Sequence, residues 1–365
     1  MTKRSTVIAM IAMLVLLSMM STSHGEELPK RYYQLTSLDL DRGKKLADTM
    51  LCAMCHSPMT MESGLQMYNE KLRLTGGVKI VSPPDGTFFT KNLTPDMKTG
   101  VGTWSFDELA MAITQGVAKD GRGLRVMPSH YYKDISNEDL NALIGYLKSV
   151  PPVQKQIPAN IKMEILSKLM AGIRLFLPFI AYPSQDWFFG DHGTSLVDHN
   201  DRSELYLSPK SQEPLVVQPV RTSPDIERGK YLVTTAACAF CHTPVTAFGQ
   251  SQKLALSGGF KVIDPVCGTV YSKNLTPDPD TGLGKWSDQE IVNAIKGGVS
   301  KGRERLLCST IMPWQAYSQF SDDDMRAIVA YLRAIPPVHH QVPESTPPTG
   351  KEPKYQKFTL GDAGD

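Results

Sequence analysis

The chain repeats itself, and this internal repeat limits its fold more than any other feature. Short motifs of residues 42–153 recur in the same order in residues 228–338, at an offset that moves only between 182 and 186. A collinear match of this length indicates a duplicated domain, and 365 residues suffice for two domains of about 150 residues each. The repeated pairs include Arg42-Gly43-Lys44 with Arg228-Gly229-Lys230, Gly76-Gly77 with Gly258-Gly259, Asn92 with Asn274, Trp104 with Trp286, and Pro151-Pro152-Val153 with Pro336-Pro337-Val338.

Each copy carries the sequence pattern of a helical domain. Ser105 and Ser287 are each followed three residues later by a glutamate, which is the spacing of a capping box at a helix N-terminus. A last helix is predicted from Ser136 and from Ser321, with apolar residues three and four apart, and two prolines end it. Few stretches alternate with a period of two, so we predict two all-α domains with long loops.

The clearest chemistry in the sequence is a Cys-x-x-Cys-His motif in each copy. Two thiols at this spacing can add to the vinyl groups of a haem, and the histidine that follows then reaches the iron. The two cysteines alone would also fit a redox disulfide or half of a zinc site, but the histidine and the duplicated surroundings favour haem. We therefore predict two covalently bound haem c groups. The predicted attachment and ligand residues are Cys52, Cys55 and His56 in copy one, and Cys238, Cys241 and His242 in copy two.

A sixth iron ligand is expected from a loop later in each copy. Met127 and Met312 each precede a proline and lie 75 and 74 residues after the first cysteine of their copies. Most of the 17 methionines are expected to fill cores or the N-terminal segment, yet only these two occupy matching positions after the second helix. His130 is a rival in copy one, although copy two has Gln315 at that offset. We therefore predict His–Met ligation at both sites. A neutral thioether ligand would raise the potential of each haem.

The two remaining cysteines occur only in copy two. Cys267 precedes the loop that contains Asn274, and Cys308 precedes Met312 by four residues. A disulfide between them would hold the Met312 loop, and we predict this pairing because export favours disulfides. Two free buried thiols are the alternative.

The N-terminus is typical of a signal peptide, here predicted over residues 1–25. Lys3 and Arg4 precede an apolar run over 7–17, and small residues follow. The run is shorter than the roughly 20 residues of a spanning helix, so cleavage is favoured over a retained anchor. We predict a periplasmic protein. A net charge of +2 without a basic run gives no indication of nucleic-acid binding.

The remaining boundaries follow from the repeat. The segment between the copies holds apolar residues that Lys168 and Arg174 interrupt, so it is too broken to span a bilayer. It is either a linker helix packed between domains or an amphipathic surface that contacts the membrane or a membrane-bound partner. The predicted divisions are domain one over 26–153, the linker over 154–224, domain two over 225–340 and a disordered tail over 341–365.

Together, the repeated motifs resemble those of the multihaem cytochrome c subunits of bacterial membrane-associated dehydrogenases of the alcohol, gluconate and sorbitol types. The resemblance rests on Lys-Asn-Leu-Thr-Pro-Asp, Gly-x-Gly-x-Trp-Ser, Met-Pro and the closing segment 330–338, and it covers most of 42–153 and 228–338. It implies two tandem class I cytochrome c-like domains joined by a long, partly apolar linker. In that family the cysteines bind haem and the His and Met residues are axial ligands. Many such subunits have three haem domains, whereas this chain has two.

These features predict a dihaem electron carrier. It would accept electrons from a periplasmic or membrane-associated dehydrogenase subunit or another donor, and pass them to a downstream cytochrome, oxidase or quinone. Six-coordinate iron leaves no open site, which favours a non-catalytic electron-transfer protein, or a subunit of an oxidoreductase complex, over an enzyme. The alternative is a dihaem redox enzyme, either a peroxidase or a thiosulfate dehydrogenase. The latter would need an unusual ligand, and Cys308 is the candidate.

Overall fold

The structure, a computed structural model, places both copies in one unit, Ser37–Asp365. The predicted signal peptide (1–25) and the apolar centre of the predicted linker (163–215) lie outside the described residues. Within the described stretches, no helix has the length and apolar character that crossing a bilayer requires. The described residues are 39–62, 65–68, 70–82, 86–124, 127–162, 216–246, 249–302, 307–309, 311–351 and 357–359.

Copy one is a mostly helical domain in which the predicted capping box is present. The Ser105 side chain accepts a hydrogen bond from the Glu108 N–H, and the Glu108 carboxylate accepts one from the Ser105 N–H. Both bonds pair backbone groups that the first turn of a helix leaves free. The elements of copy one are α1 (Leu40–Thr49), α2 (Cys52–His56), β1 (Met59–Glu62), β2 (Leu65–Tyr68), a 3-10 turn (Glu70–Leu72), β3 (Lys79–Ser82), β4 (Gly86–Phe89), α3 (Phe106–Gln115), a 3-10 turn (Ser129–Tyr132), α4 (Asn137–Ser149) and β5 (Ile161–Lys162).

Copy two repeats this plan. Ser287 and Glu290 form the same reciprocal pair of hydrogen bonds at the start of the second main helix. The elements of copy two are α5 (Pro224–Thr235), α6 (Cys238–Cys241), β6 (Val245–Thr246), β7 (Gly249–Gln250), a 3-10 turn (Gln252–Leu254), β8 (Lys261–Asp264), β9 (Gly268–Tyr271), α7 (Asp288–Gly297), α8 (Trp314–Tyr317), α9 (Asp322–Ala334) and β10 (Lys357–Thr359).

A repeated glycine lets the first and last helices of each copy approach closely. A Cβ atom on Gly43 in α1 would overlap the carbonyl oxygen of Ala142 in α4, and one on Gly229 in α5 would overlap that of Ala327 in α9. The absence of a side chain therefore permits the crossing. The last helices bury the predicted apolar stripes, which consist of Leu140, Leu143, Ile144 and Leu147, and of Met325, Ile328, Val329 and Leu332.

The domains are mostly helical, but the prediction of an all-α class is not confirmed, because each copy also contains short antiparallel strands. In copy one β1 pairs with β2, and β4 lies between β3 and β5. In copy two β6 pairs with β7, and β8 lies between β9 and β10. These strands have two to four residues each, which is too short for a period of two to stand out in the sequence.

The chain after α9 pairs with copy two for part of its length, which corrects the prediction of a disordered tail over 341–365. Thr346 and Thr269 exchange backbone hydrogen bonds of 2.9 and 3.1 Å, and the Ser345 hydroxyl accepts one from the Tyr271 N–H at 3.1 Å. Farther along, β10 adds to the edge of β8. The composition of this segment favoured disorder. Composition carries no information about a strand edge elsewhere in the fold with which the segment can pair.

Candidate functional site

A left-handed residue directly precedes each Cys-x-x-Cys-His motif. Leu51 has φ 63° and Ala237 has φ 52°, a conformation that residues other than glycine rarely adopt. The N–H groups of Leu51 and Ala237 donate to the carbonyls of Asp48 and Thr234, which close the preceding helix. The chain therefore turns sharply from α1 into α2, and from α5 into α6. The same unfavourable conformation in both copies indicates that the surrounding structure holds these turns in place.

The four motif cysteines lie in environments that keep their thiols neutral. Burial raises the pKa of Cys52, Cys238 and Cys241 to about 12 and that of Cys55 to about 11. Redox-active cysteines have the opposite character, because their thiolates are stabilised and their pKa values are lowered. Thiols of this kind disfavour the redox-disulfide interpretation and are compatible with thioether formation.

The motif histidines are oriented by a backbone carbonyl in the same way in both copies. The Nδ1 of His56 lies 2.7 Å from the carbonyl oxygen of Lys91, and the Nδ1 of His242 lies 2.7 Å from that of Lys273. A carbonyl can only accept, so Nδ1 carries the proton and Nε2 keeps its lone pair. Burial also lowers the pKa of both histidines, which favours neutral imidazole. A neutral ring with a free Nε2 fits an iron ligand, and the carbonyl bond fixes its direction.

The repeated glycine pair explains how that carbonyl comes so close. The N–H groups of Gly76 and Gly258 donate to the carbonyls of His56 and His242 at 2.7 and 2.8 Å. Gly76 has φ 69°, and a Cβ atom there would lie 2.5 Å from the Lys91 carbonyl group. Because glycine has no Cβ atom, the backbone at Gly76 can pack closely against both His56 and the Lys91 carbonyl that accepts its hydrogen bond.

The predicted methionine ligands occupy identical turns. The Met127 carbonyl accepts from the Ser129 N–H, and the Met312 carbonyl accepts from the Trp314 N–H, both at 2.8 Å. The prolines between them have φ/ψ values of −80°/50° and −82°/53°, which are typical of inverse γ-turns.

A tyrosine five residues later fastens each methionine loop to the motif of its own copy. The Tyr132 hydroxyl donates to the carbonyl of Met50 at 2.7 Å, and the Tyr317 hydroxyl donates to that of Ala236 at 3.0 Å. Both acceptors lie two residues before the first motif cysteine. The structure thus connects the two parts of each predicted site, which are far apart in the sequence.

The predicted disulfide is present between Cys267 and Cys308. It links the turn between β8 and β9 to the loop before Met312, whose N–H donates to the Cys308 carbonyl at 2.8 Å. The Cys308 sulfur is thus engaged in a bond to Cys267, which removes the observation that had favoured a thiosulfate dehydrogenase.

A buried asparagine in each copy closes the loop beside the motif. The Asn92 amide donates to the carbonyl of Val153 at 2.8 Å, and its oxygen accepts from the N–H and hydroxyl of Thr94. Asn274 makes the same bonds to Val338 and Thr276. These contacts explain why Lys-Asn-Leu-Thr-Pro-Asp and Pro-Pro-Val recur together, because each asparagine ties one motif to the other.

One matched pair of residues, Lys155 and His340, was not predicted from the sequence. The backbone N–H of each donates to a threonine hydroxyl of its copy at 3.0 Å. The Lys155 ammonium then donates to the Gly76 carbonyl at 2.6 Å, and the His340 ring lies 3.1 Å from the Ser257 carbonyl. Each residue lies two positions after the repeated Pro-Pro-Val. Extending the alignment of the two copies beyond that motif would have identified Lys155 and His340 as corresponding residues.

A pair of neutral thiols at Cys-x-x-Cys spacing, followed by a histidine whose Nε2 is available, in a mostly helical domain indicates a c-type haem protein. The "Cytochrome c" family model matches residues 40–151 and 226–336. The chain therefore belongs to the cytochrome c family, and its two domains indicate two covalently bound haem c groups.

Several known proteins are similar over most of the chain. The cytochrome c subunit of the quinone alcohol dehydrogenase of Gluconacetobacter polyoxogenes is 30% identical over 82% of this chain and 56% of its own length. The cytochrome c subunit of gluconate 2-dehydrogenase from Pantoea cypripedii is 30% identical over 80% of this chain and 59% of its own. A "diheme cytochrome c-type" protein of Cereibacter sphaeroides is 24% identical over 85% of this chain and 90% of its own. The chain thus spans a little over half the length of the dehydrogenase subunits.

Proposed function

We propose that this protein is a dihaem electron carrier in which each domain holds one haem between a histidine and a methionine. Cys52 and Cys55 would form the thioethers in copy one, with His56 and Met127 as axial ligands. When bound, the haem iron supplies a one-electron couple. The corresponding residues of copy two are Cys238, Cys241, His242 and Met312.

The observation that carries the proposal is the matched geometry behind each histidine. In both copies a backbone carbonyl holds Nδ1 at 2.7 Å and leaves Nε2 available to a metal. In both copies the methionine lies in the same turn, and a tyrosine joins its loop to the motif. Two axial ligands from the protein leave no position for a substrate, which favours electron transfer over catalysis.

We propose further that the electron donor is a dehydrogenase subunit. Relatives at 30% identity are named as cytochrome c subunits of an alcohol and a gluconate dehydrogenase. A downstream cytochrome, an oxidase or a quinone would accept the electrons. We also place the protein in the periplasm, at or near the surface of the cytoplasmic membrane.

The test replaces each methionine and measures the haem that depends on it. Met127→Ala and Met312→Ala should each lower the midpoint potential of one haem by on the order of 0.1–0.3 V, within the roughly 0.8 V that axial ligands span. The spectrum of that haem should also lose its iron–sulfur absorption. Met97→Ala is the matched control, because Met97 is 66% exposed and has no counterpart in copy two.

Three results would contradict the proposal. The first is fewer than two haems per chain, measured as the pyridine haemochromogen. The second is unchanged spectra and potentials in both methionine variants. The third is appreciable turnover of peroxide or thiosulfate by the oxidised protein, which would favour a dihaem enzyme.

A further inference from the structure

The two copies dock on each other reciprocally. Segment Ser129–Tyr132, which follows Met127, packs against α5 of copy two, and α8, which follows Met312, packs against α1 of copy one. Each of these segments therefore contacts the helix that leads into the other copy's Cys-x-x-Cys-His motif. Such an exchange of equivalent contacts is typical of a two-fold interface, here formed within one chain.

One tyrosine at this interface is bonded to the opposite motif. Tyr131 is 1% exposed, and its hydroxyl donates to the side-chain oxygen of Gln250 at 3.2 Å. The Gln250 amide in turn donates to the carbonyls of Ala239 and Phe240 at 3.1 and 2.9 Å. These two residues lie between the motif cysteines of copy two. A short hydrogen-bonded path thus joins the Met127 segment to the other attachment site.

The repeat shows that this contact is an addition to the common fold. Tyr132 and Tyr317 correspond in the two copies, and each bonds to the backbone of its own copy. The residue that corresponds to Tyr131 in copy two is Ala316, which has no side chain long enough for such a bridge. The bridge from Tyr131 therefore distinguishes copy one from copy two, although both segments contact the helix before the opposite motif.

We propose that Tyr131 and Gln250 are positioning residues that hold the two haem-attachment segments in one fixed contact and thereby set the rate of electron exchange between the haems. This inference rests on the proposed function. In each exchange one electron leaves the ferrous iron of one site, which becomes ferric, and reduces the ferric iron of the other site. No bond breaks and no proton moves. The tyrosine ring remains neutral and is not oxidised.

The test measures electron exchange in the full-length holoprotein. One haem is reduced by a flash with a ruthenium photosensitiser, and the equilibration between the two haems is followed by absorbance. Tyr131→Ala should slow this equilibration by about tenfold or more, and Tyr131→Phe and Gln250→Ala should slow it less, because the ring still fills the interface. Tyr331→Phe is the matched control, since it removes a buried hydroxyl that donates to the Val217 carbonyl and belongs to neither interface segment.

Haem content and midpoint potentials are measured on every variant, which separates this inference from the proposed function. Two haems per chain, unchanged potentials and slower exchange support the positioning role. Two haems per chain with unchanged exchange in Tyr131→Ala would overturn it. If Tyr131→Ala does not fold, Tyr131→Phe and Gln250→Ala decide, and wild-type rates in both would reject the inference. Loss of a haem from the wild-type protein would instead contradict the proposed function.

Discussion

At the scale of single residues, each site depends on backbone geometry around its histidine. The imidazole is directed by a carbonyl of a loop that lies more than thirty residues farther along the chain. That loop approaches because Gly76 and Gly258 leave space and adopt positive φ. A buried asparagine then holds the loop against the segment after the last helix. The direction of the histidine is thus decided by residues that carry no haem chemistry.

Replacing Gly76 should test this dependence. Gly76→Ala is expected to lower the free energy of unfolding by about 2–4 kcal/mol, because the positive φ and the overlap with Lys91 both oppose a Cβ atom. It should also shift the midpoint potential of the copy-one haem, since the Lys91 carbonyl that orients His56 must move. Denaturant unfolding and a redox titration measure the two effects.

Gly302→Ala separates the two causes. Gly302 also has a positive φ, 65°, but a Cβ atom there would meet no atom within 4 Å. Its replacement should cost only about 1–2 kcal/mol and leave both potentials unchanged. Equal effects of the two variants would show that the contact with Lys91 is unimportant.

At the scale of elements, the two copies share one framework and differ in how the methionine loop is held. The first and last helices cross at a glycine in each copy, and a capping box starts the middle helix. The loop that leads to Met312 carries an additional covalent link through Cys267 and Cys308. In copy one, position 85 takes the place of Cys267 and is an aspartate. The two sites should therefore differ in how firmly the methionine is held.

Removing the disulfide should weaken copy two selectively. Without the disulfide, as in a double Cys267→Ser, Cys308→Ser variant, the unfolded chain gains conformational entropy. For a separation of 41 residues this gain lowers the free energy of unfolding by about 4 kcal/mol. The expected spectroscopic result is a larger high-spin fraction at the copy-two haem, because Met312, the proposed axial ligand, would dissociate more readily. The copy-one haem of the same protein is the internal control. An equal change at both haems would mean that the disulfide acts on the whole unit.

At the scale of the whole molecule, the repeated ion pair between the first and last helices is used differently in the two copies. Arg42 pairs with Asp139 at 2.6 Å and Arg228 with Asp324 at 2.9 Å. Asp139 is 3% exposed, and its second oxygen accepts from the hydroxyl of Tyr231 in copy two at 2.5 Å. The first pair is therefore part of the interface between the copies, whereas the second faces solvent.

The two aspartates provide a matched comparison. Asp139→Asn is expected to destabilise the protein by about 2 kcal/mol, because the buried Asp139 carboxylate accepts hydrogen bonds from both Arg42 and Tyr231. Asp324→Asn should cost less than about 1 kcal/mol, as is usual for an exposed pair. Calorimetry should also show the two domains unfolding less cooperatively in Asp139→Asn. Equal losses in both variants would contradict a role of Asp139 between the domains.

The same contact predicts a dependence on alkaline pH. Burial first, and then the hydrogen bond to Asp139, raise the pKa of Tyr231 to about 12 in the folded state, above its usual value of about 10. The folded state therefore holds this proton more tightly than the unfolded state. The stabilisation is complete below about pH 10 and is lost as the pH rises through about 12. Tyr231→Phe should reduce the decline in stability over this interval, and an unchanged pH profile would reject the assignment.

The local features of this protein were predictable from the sequence. The repeat, the two Cys-x-x-Cys-His motifs and the capping boxes depend on residues that are close in the chain, so their spacing determines their structure. The pairing of Cys267 with Cys308 was predictable for another reason, because no other cysteines lie outside the motifs. These observations were sufficient to predict two helical haem domains.

The tertiary structure decided what depends on residues far apart in the chain. The carbonyl behind each histidine, the short strands, the pairing of the tail with β8 and the bridge from Tyr131 to Gln250 join segments that no local pattern connects. The burial of Asp139, but not of Asp324, was likewise decided by the docking of the two copies. A periodic pattern reports which face of a helix is buried, but the partner of that face is selected only by packing in three dimensions.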